Sequence, residues 1–165
     1  MPEYNEESIK KDSLDKKLKV LSAVAHELNE CGIVWAVGAS ALLYLKNKTD
    51  HFNDIDIMVL EDDIDKLKEV LLKMGKLSPS TPAKQYRTRH FLEFTIDGID
   101  IDVMAGFVIV QEGKEYDCSL QREQIAEYIR INGEKIPLQS IADWRRYYNL
   151  MGRPEKVEMI DTPYF

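Results

Sequence analysis

Two pairs of aspartates stand at a spacing that calls for a positive partner. Asp54 and Asp56 flank Ile55 in FNDIDIMVL, residues 52–60, and Asp100 and Asp102 flank Ile101 in GIDIDVM, residues 98–104. Each pair sits in a run of Ile, Val and Met that reads as a buried strand. Strand side chains alternate faces, so residues i and i+2 point the same way and each pair sets two like charges side by side. Charges that guard an exposed sheet edge account for one such pair easily and for two poorly. If the two strands are neighbours, three or four carboxylates converge, and their repulsion raises their pKa values unless divalent cations bind between them. Hard oxygen donors of this kind suit Mg²⁺ or Mn²⁺ held by a few carboxylates, waters and substrate phosphates. Two such ions about 4 Å apart clamp the attacking and leaving oxygens of a phosphoryl displacement.

The elements that must position these acids follow from patterning. Leu14, Leu18, Leu21, Ala25 and Leu28 recur at helical spacing, which predicts a helix over residues 12–31 that ends at Gly32. IVWAV, residues 33–37, predicts a buried strand, and GASALLYLK predicts a helix opening at Gly38. Acids at the front and Ile64, Leu67, Leu71 and Met74 on one face predict a helix over residues 61–75. Asp97-Gly98 and Asn132-Gly133 each join two strand-like runs and predict tight hairpins. A last helix begins at Ser140, breaks at Gly152 and resumes after Pro154. The order predicts an α+β fold: a small mixed sheet with helices packed on one face. A length of 165 residues predicts a single domain, with polar residues 1–11 as a flexible N-terminal tail.

Composition narrows the class of function. A net charge of −7 argues against a sequence-independent grip on nucleic acid, which depends on neutralising phosphates. No apolar run approaches the length of a membrane span, and the polar, acidic start is unlike a secretion signal, so a cytoplasmic protein is expected. Cys31 and Cys118 belong to no paired motif and are expected to be reduced thiols; His26, His51 and His90 have no zinc-ligand spacing. A phosphate-handling acidic protein needs local cations. Lys84, Arg87 and Arg89, in the loop before the first hairpin, are the candidates, the two arginines sharing a face if the loop is extended. Lys46 and Lys48 are expected in solvent, and at most one of Arg145 and Arg146 reaches a site. Trp35, Tyr147 and Tyr148 are expected to pack rather than stack on a base.

The stretch WAVGASALLYLKNKTDHFNDIDIMV, residues 35–59, resembles the signature of the nucleotidyltransferase superfamily related to DNA polymerase β, in particular its small bacterial, antibiotic-modifying members. That signature is a hydrophobic strand, a Gly-Gly or Gly-Ser turn into a helix, then D-x-D on the next strand and a third carboxylate on a later one. Gly38 opens the motif here, Asp54 and Asp56 form D-x-D, and Asp102 fits the third position, with Asp100 as the fallback. Ala39 stands where the family has its second Gly or Ser, and Ser40 follows one place late. The C-terminal GRPEKVEMI resembles the family's GRxKD ending, with Glu155-Lys156 in place of Lys-Asp.

The resemblance implies that Asp54 and Asp56 hold Mg²⁺, that Asp102 helps activate a hydroxyl, and that Gly38, Ala39 and Ser40 meet a triphosphate at a helix N-terminus. It implies transfer of a nucleoside monophosphate from an NTP to a hydroxyl of a small molecule or protein, with release of pyrophosphate. A chain of this size leaves room for a homodimer to complete the acceptor pocket. The alternative is a degenerate transferase whose fold persists for partner contacts, as a toxin–antitoxin component. A polymerase acting on RNA ends fits the acidic balance poorly.

Overall fold

The two acidic strands lie at the centre of a seven-stranded mixed sheet, paired with each other. The computed structural model describes residues 6–79 and 87–162. In chain order these form α1 (Glu6–Glu30), β1 (Trp35–Gly38), α2 (Ala39–Leu45), β2 (Ile55–Val59), α3 (Ile64–Leu72), β3 (Lys76–Ser78), β4 (His90–Ile96), β5 (Ile99–Ala105), β6 (Val108–Gln111), β7 (Lys114–Asp117), β8 (Ile125–Ile131), β9 (Glu134–Gln139), α4 (Ile141–Leu150) and α5 (Pro154–Asp161). The sheet order is β3-β4-β5-β2-β1-β9-β8, and β6 and β7 make a separate two-stranded ribbon. Two neighbour pairs are parallel, β2 with β5 and β1 with β9. The other pairs are antiparallel.

Alternation decides which residues the sheet hides. Ile55, Ile57, Ile101 and Val103 are fully buried, as are Leu21, Val24 and Leu28 of α1. That face carries much of the core, while the residues between them, Asp56, Asp102 and Met104, keep surface on the other side. α1 runs along β9 and also touches α3, whereas α4 and α5 pack on each other and α4 meets α2. A bidentate pair from Arg145 to Asp161, both bonds 2.8 Å, ties α4 to α5. Ser140 Oγ accepts the Asp143 backbone N–H at 3.0 Å and caps α4 as its sequence predicts.

Three boundaries differ from the sequence expectation. The tail expected over residues 1–11 is helical from Glu6 onward; Lys10 reaches Asp50 at 2.7 Å, a long-range contact that apolar periodicity does not register, and residues 1–5 lie outside the described part. The helix expected over residues 61–75 is a 3-10 turn over Glu61–Asp63 followed by α3, and Asp63 turns back to accept the Val34 backbone N–H at 2.9 Å. The ribbon of β6 and β7 was not expected as a hairpin, because its turn is Glu112-Gly113 and not an Asn-Gly or Asp-Gly pair. All three hairpin turns nonetheless have the same backbone: Asp97-Gly98, Glu112-Gly113 and Asn132-Gly133 each place both residues at positive φ.

Candidate active site

Asp56 sits opposite Gly38 of β1 on one side and opposite Asp102 of β5 on the other. Asp102 in turn faces Glu93 of β4. One row therefore crosses four strands: Gly38, Asp56, Asp102, Glu93. Asp54 precedes β2 by one residue and lines the same cavity, whose volume is about 580 Å³. Asp100, two residues before Asp102 on β5 and near enough to act on Asp54, is exposed, is not among the cavity's lining residues, and accepts a hydrogen bond from Thr95 Oγ1 at 3.1 Å. Of the two aspartates of β5, it is Asp102 that opens onto the cavity beside Asp56.

Burial and mutual repulsion act on all three cavity aspartates. Burial holds Asp56 well above the usual carboxylate range, the charges of Asp102 and Asp54 add to this, and Lys156 opposes it. Asp102 is pushed up to about 6 by burial and by Asp54, Glu93 and Asp100. Asp54 is raised by burial and by Asp100, with Lys17 opposing. Left to themselves these groups hold protons that isolated carboxylates release.

The turn from β1 into α2 is built for close packing. Gly38 is the N-cap residue, and a Cβ there would lie 2.6 Å from Gln139 Oε1 and 2.6 Å from the Trp144 ring. Trp144 itself is fixed by donating its Nε1–H to Gln139 Oε1 at 2.7 Å. Ala39 follows with φ +53°, a left-handed conformation that costs a Cβ-bearing residue about 1–2 kcal/mol. The position where the family motif has its second Gly is thus a position whose backbone favours glycine, and alanine occupies it under strain. Ala39 and Ser40 line the cavity.

The basic residues expected to meet phosphates are placed differently. Arg87 pairs with Glu115 at 2.7 Å, and Arg89 pairs with Glu61 at 2.5 Å and Asp117 at 3.5 Å; neither lines the cavity. Acids of the β6–β7 ribbon and of the turn before α3 take up both guanidinium groups. Lys84 lies outside the described residues. Lys46 pairs with Glu127, and neither Arg145 nor Arg146 lines the cavity. Among the described residues the cations at the cavity wall are instead Arg153, which also pairs with Glu155 at 3.0 Å, and Lys156, three residues apart at the start of α5. Burial and the nearby Arg153 charge lower the Lys156 pKa, and the attraction of Glu155 and Asp56 opposes this. Both stand in the GRPEKVEMI ending, where neither was given a phosphate role, although Pro154 predicts a helix start there and an i, i+3 spacing predicts one shared face. His51, Phe52, Phe91, Met104, Phe107, Trp144 and Tyr148 complete much of the remaining wall. Tyr147 and Trp35 are core residues, as expected, while Tyr148 both packs and faces the cavity.

No family model matches the sequence, nor does any curated protein. Solved structures do match. A proposed nucleotidyltransferase from Thermotoga maritima superposes with a TM-score of 0.70 at 24% identity, over 89% of this chain and 91% of its own. The fold is that of the nucleotidyltransferases. ANT(2″)-Ia, in complex with adenylyl-2″-tobramycin, matches with a TM-score of 0.61 at 12% identity, covering 88% of this chain and 86% of its own. The lincosamide antibiotic adenylyltransferase LnuA, bound to lincomycin, gives 0.56 at 15%, covering 87% and 96%. At these identities the likeness is one of fold, with the mixed sheet and helices that the sequence predicts.

Within this nucleotidyltransferase fold, the donor set fits a hard divalent cation: Asp54, Asp56 and Asp102 supply carboxylate oxygens to one cavity. Among the described residues no three His, Cys, Asp or Glu side chains are gathered into a ready-made cage. Magnesium does not need one, since it binds through one or two carboxylates together with waters and the phosphates of its substrate. Among the described residues no helix is long and apolar enough to cross a membrane.

Proposed function

We propose that the chain is a nucleotidyltransferase that moves a nucleoside monophosphate from an NTP, with ATP the first donor to test, to a hydroxyl group. The single observation that carries this reading is the parallel register of β2 and β5, which puts Asp56 beside Asp102 at the wall of a cavity large enough for a nucleotide. Two of the structures with this fold are adenylyltransferases by name, which supports ATP as donor.

Asp54 and Asp56, with Asp102 completing the donor set, would hold Mg²⁺ or Mn²⁺, which would supply charge neutralisation on the transferring phosphate. Lys156 and Arg153 bind the β- and γ-phosphates and stabilise the leaving pyrophosphate. Ser40 and the backbone of the Gly38–Ala39 turn border the phosphate chain. Asp102 orients the acceptor hydroxyl and takes its proton, a role suited to a carboxyl raised to about 6 by burial and by Asp54, Glu93 and Asp100. The acceptor oxygen forms a bond to the α-phosphorus, the bond from that phosphorus to the bridging oxygen breaks, and pyrophosphate departs.

The test is transfer of label from α-labelled ATP with Mg²⁺ to small hydroxyl compounds and to proteins of a cell extract. Wild type should give a labelled product, and Asp54→Asn and Asp56→Asn should each lower the rate at least about 100-fold while circular dichroism stays unchanged. Labelling that persists in both variants contradicts the assignment. A folded wild type that labels nothing and binds no ATP favours a fold kept for partner contacts.

A further inference from the structure

Of the three cavity aspartates, Asp54 has the least to hold it. Asp56 is registered against Gly38 of β1 and Asp102 of β5, and Asp102 is registered against Glu93 as well. Asp54 precedes β2 by one residue, at the end of the loop over residues 46–54, and among the described residues no strand register includes it. A carboxylate on a loop needs another anchor if it is to share a cation with carboxylates on strands. α1 supplies one. Lys17, half-buried, donates from Nζ to the backbone carbonyl of Phe52 at 2.6 Å, although the two residues are 35 positions apart. The same ammonium lies 5.5 Å from the centre of the Phe52 ring. That ring is buried, with its centre 5.2 Å from that of Tyr44 on α2. Phe52 is thus held by its carbonyl and by its ring, two residues before Asp54, and the Lys17 charge reaches Asp54 itself.

We propose that Lys17 is a positioning residue for the cation site: by tying the Phe52 carbonyl to α1, it holds Asp54 where its carboxylate can share a divalent cation with Asp56. This rests on the reading of Asp54, Asp56 and Asp102 as the cation's donor set. Lys17 does not line the cavity, so it acts through the loop. Charge and geometry make opposite demands here. A positive side chain near a cation site repels the cation, so on charge alone its loss tightens binding. As an anchor, its loss leaves the Phe52 carbonyl without that donor, frees the loop and loosens binding. The hydrogen bond is direct, whereas the charge acts on a half-exposed carboxylate, where solvent screens it. Loss of the anchor therefore decides the sign.

The test titrates Mn²⁺ alone into the full chain and reads the free ion by electron paramagnetic resonance. Lys17→Met should bind Mn²⁺ at least about tenfold more weakly than wild type, the loss typical when a partner that orients a metal ligand is removed. Lys17→Arg keeps a donor for the carbonyl and should recover most of that loss. Lys16→Met removes the same charge from an exposed position one residue away and should not weaken binding. In an Asp54→Asn background the effect of Lys17→Met should vanish, because the ligand that it positions is gone. In EDTA, amide exchange over residues 46–54 should quicken in Lys17→Met and not in Lys17→Arg, a readout that needs no metal. Equal or tighter Mn²⁺ binding by Lys17→Met, an equal loss in Lys16→Met, a loss that persists beside Asp54→Asn, or unchanged exchange in the loop overturns the proposal. So does a wild type that takes up no Mn²⁺. If Lys17→Met does not fold, Lys17→Gln is read against the same outcomes. The two readings fail separately: labelled transfer from ATP by wild type, with Mn²⁺ binding unmoved by Lys17→Met, sinks the anchor and leaves transfer standing.

Discussion

At the scale of single residues, Asp102 gives the account its clearest pH signature. Burial and the charges of Asp54, Glu93 and Asp100 lift it from 3.8 to about 6, so between those values the folded chain holds a proton that the unfolded chain has lost. Stability contributed by this group is therefore full below about pH 4 and is lost as pH rises to about 6. Asp102→Asn removes the penalty. In EDTA at pH 8 the variant should be more stable than wild type, by about 1 kcal/mol once water screening of the half-buried carboxyl is allowed for, or roughly 2–4 °C in Tm. Melting curves from pH 4 to pH 8 check this, and a difference that does not grow with pH would contradict it. That Asp54, Asp56 and Asp102 stand apart was legible because charge pairs inside apolar strands are conspicuous, and the three line one cavity. The role offered for Arg87 and Arg89 was not safe to read from type and loop context, since Glu61, Glu115 and Asp117 neutralise them across the fold. No local pattern announces partners so far apart in sequence. Arg153 and Lys156 were missed for the converse reason: they gain their place only when α5 folds against α4.

At the scale of elements, the turn between β1 and α2 makes opposite demands on neighbouring residues. A methyl group at Gly38 would push into Trp144 and Gln139, so Gly38→Ala should cost about 1–3 kcal/mol as α4 is displaced. Ala39→Gly should instead relieve the strain at φ +53°. That relief is about 1–2 kcal/mol, and the greater freedom of glycine in the unfolded chain returns about 0.4–1, for a net gain near 0.5 kcal/mol. Urea denaturation of the two variants reads both signs, and stabilisation by Gly38→Ala would refute the packing argument. Most elements were visible in the sequence: the amphipathic helices, the D-G and N-G hairpins and the Ser140 cap each have a local cause. What was hidden is tertiary. β3 is three residues long, the Glu112-Gly113 turn lacks its usual first residue, and the start of α1, which carries no apolar spacing, meets the rest of the fold through Lys10 and Asp50.

At the scale of the molecule, the proposed function hangs on strand order. Sequence alone says that two acidic strands exist; the parallel pairing of β2 with β5 makes them neighbours, with β1 and its turn on one flank and β4 on the other. A site assembled in this way, lined from three strands (β2, β4 and β5) and three helices (α2, α4 and α5), gathers acids, cations and apolar side chains around one cavity. Its parts should then fail together. The most direct measurement is calorimetric titration of a non-hydrolysable ATP analogue into wild type, Asp56→Asn and Asp102→Asn, each with Mg²⁺ and with EDTA. The account predicts that wild type binds only with Mg²⁺ and that each substitution, one on β2 and one on β5, lowers affinity at least about tenfold, or about 1.4 kcal/mol. Binding that is equal with and without Mg²⁺, or unchanged in both variants, would contradict it.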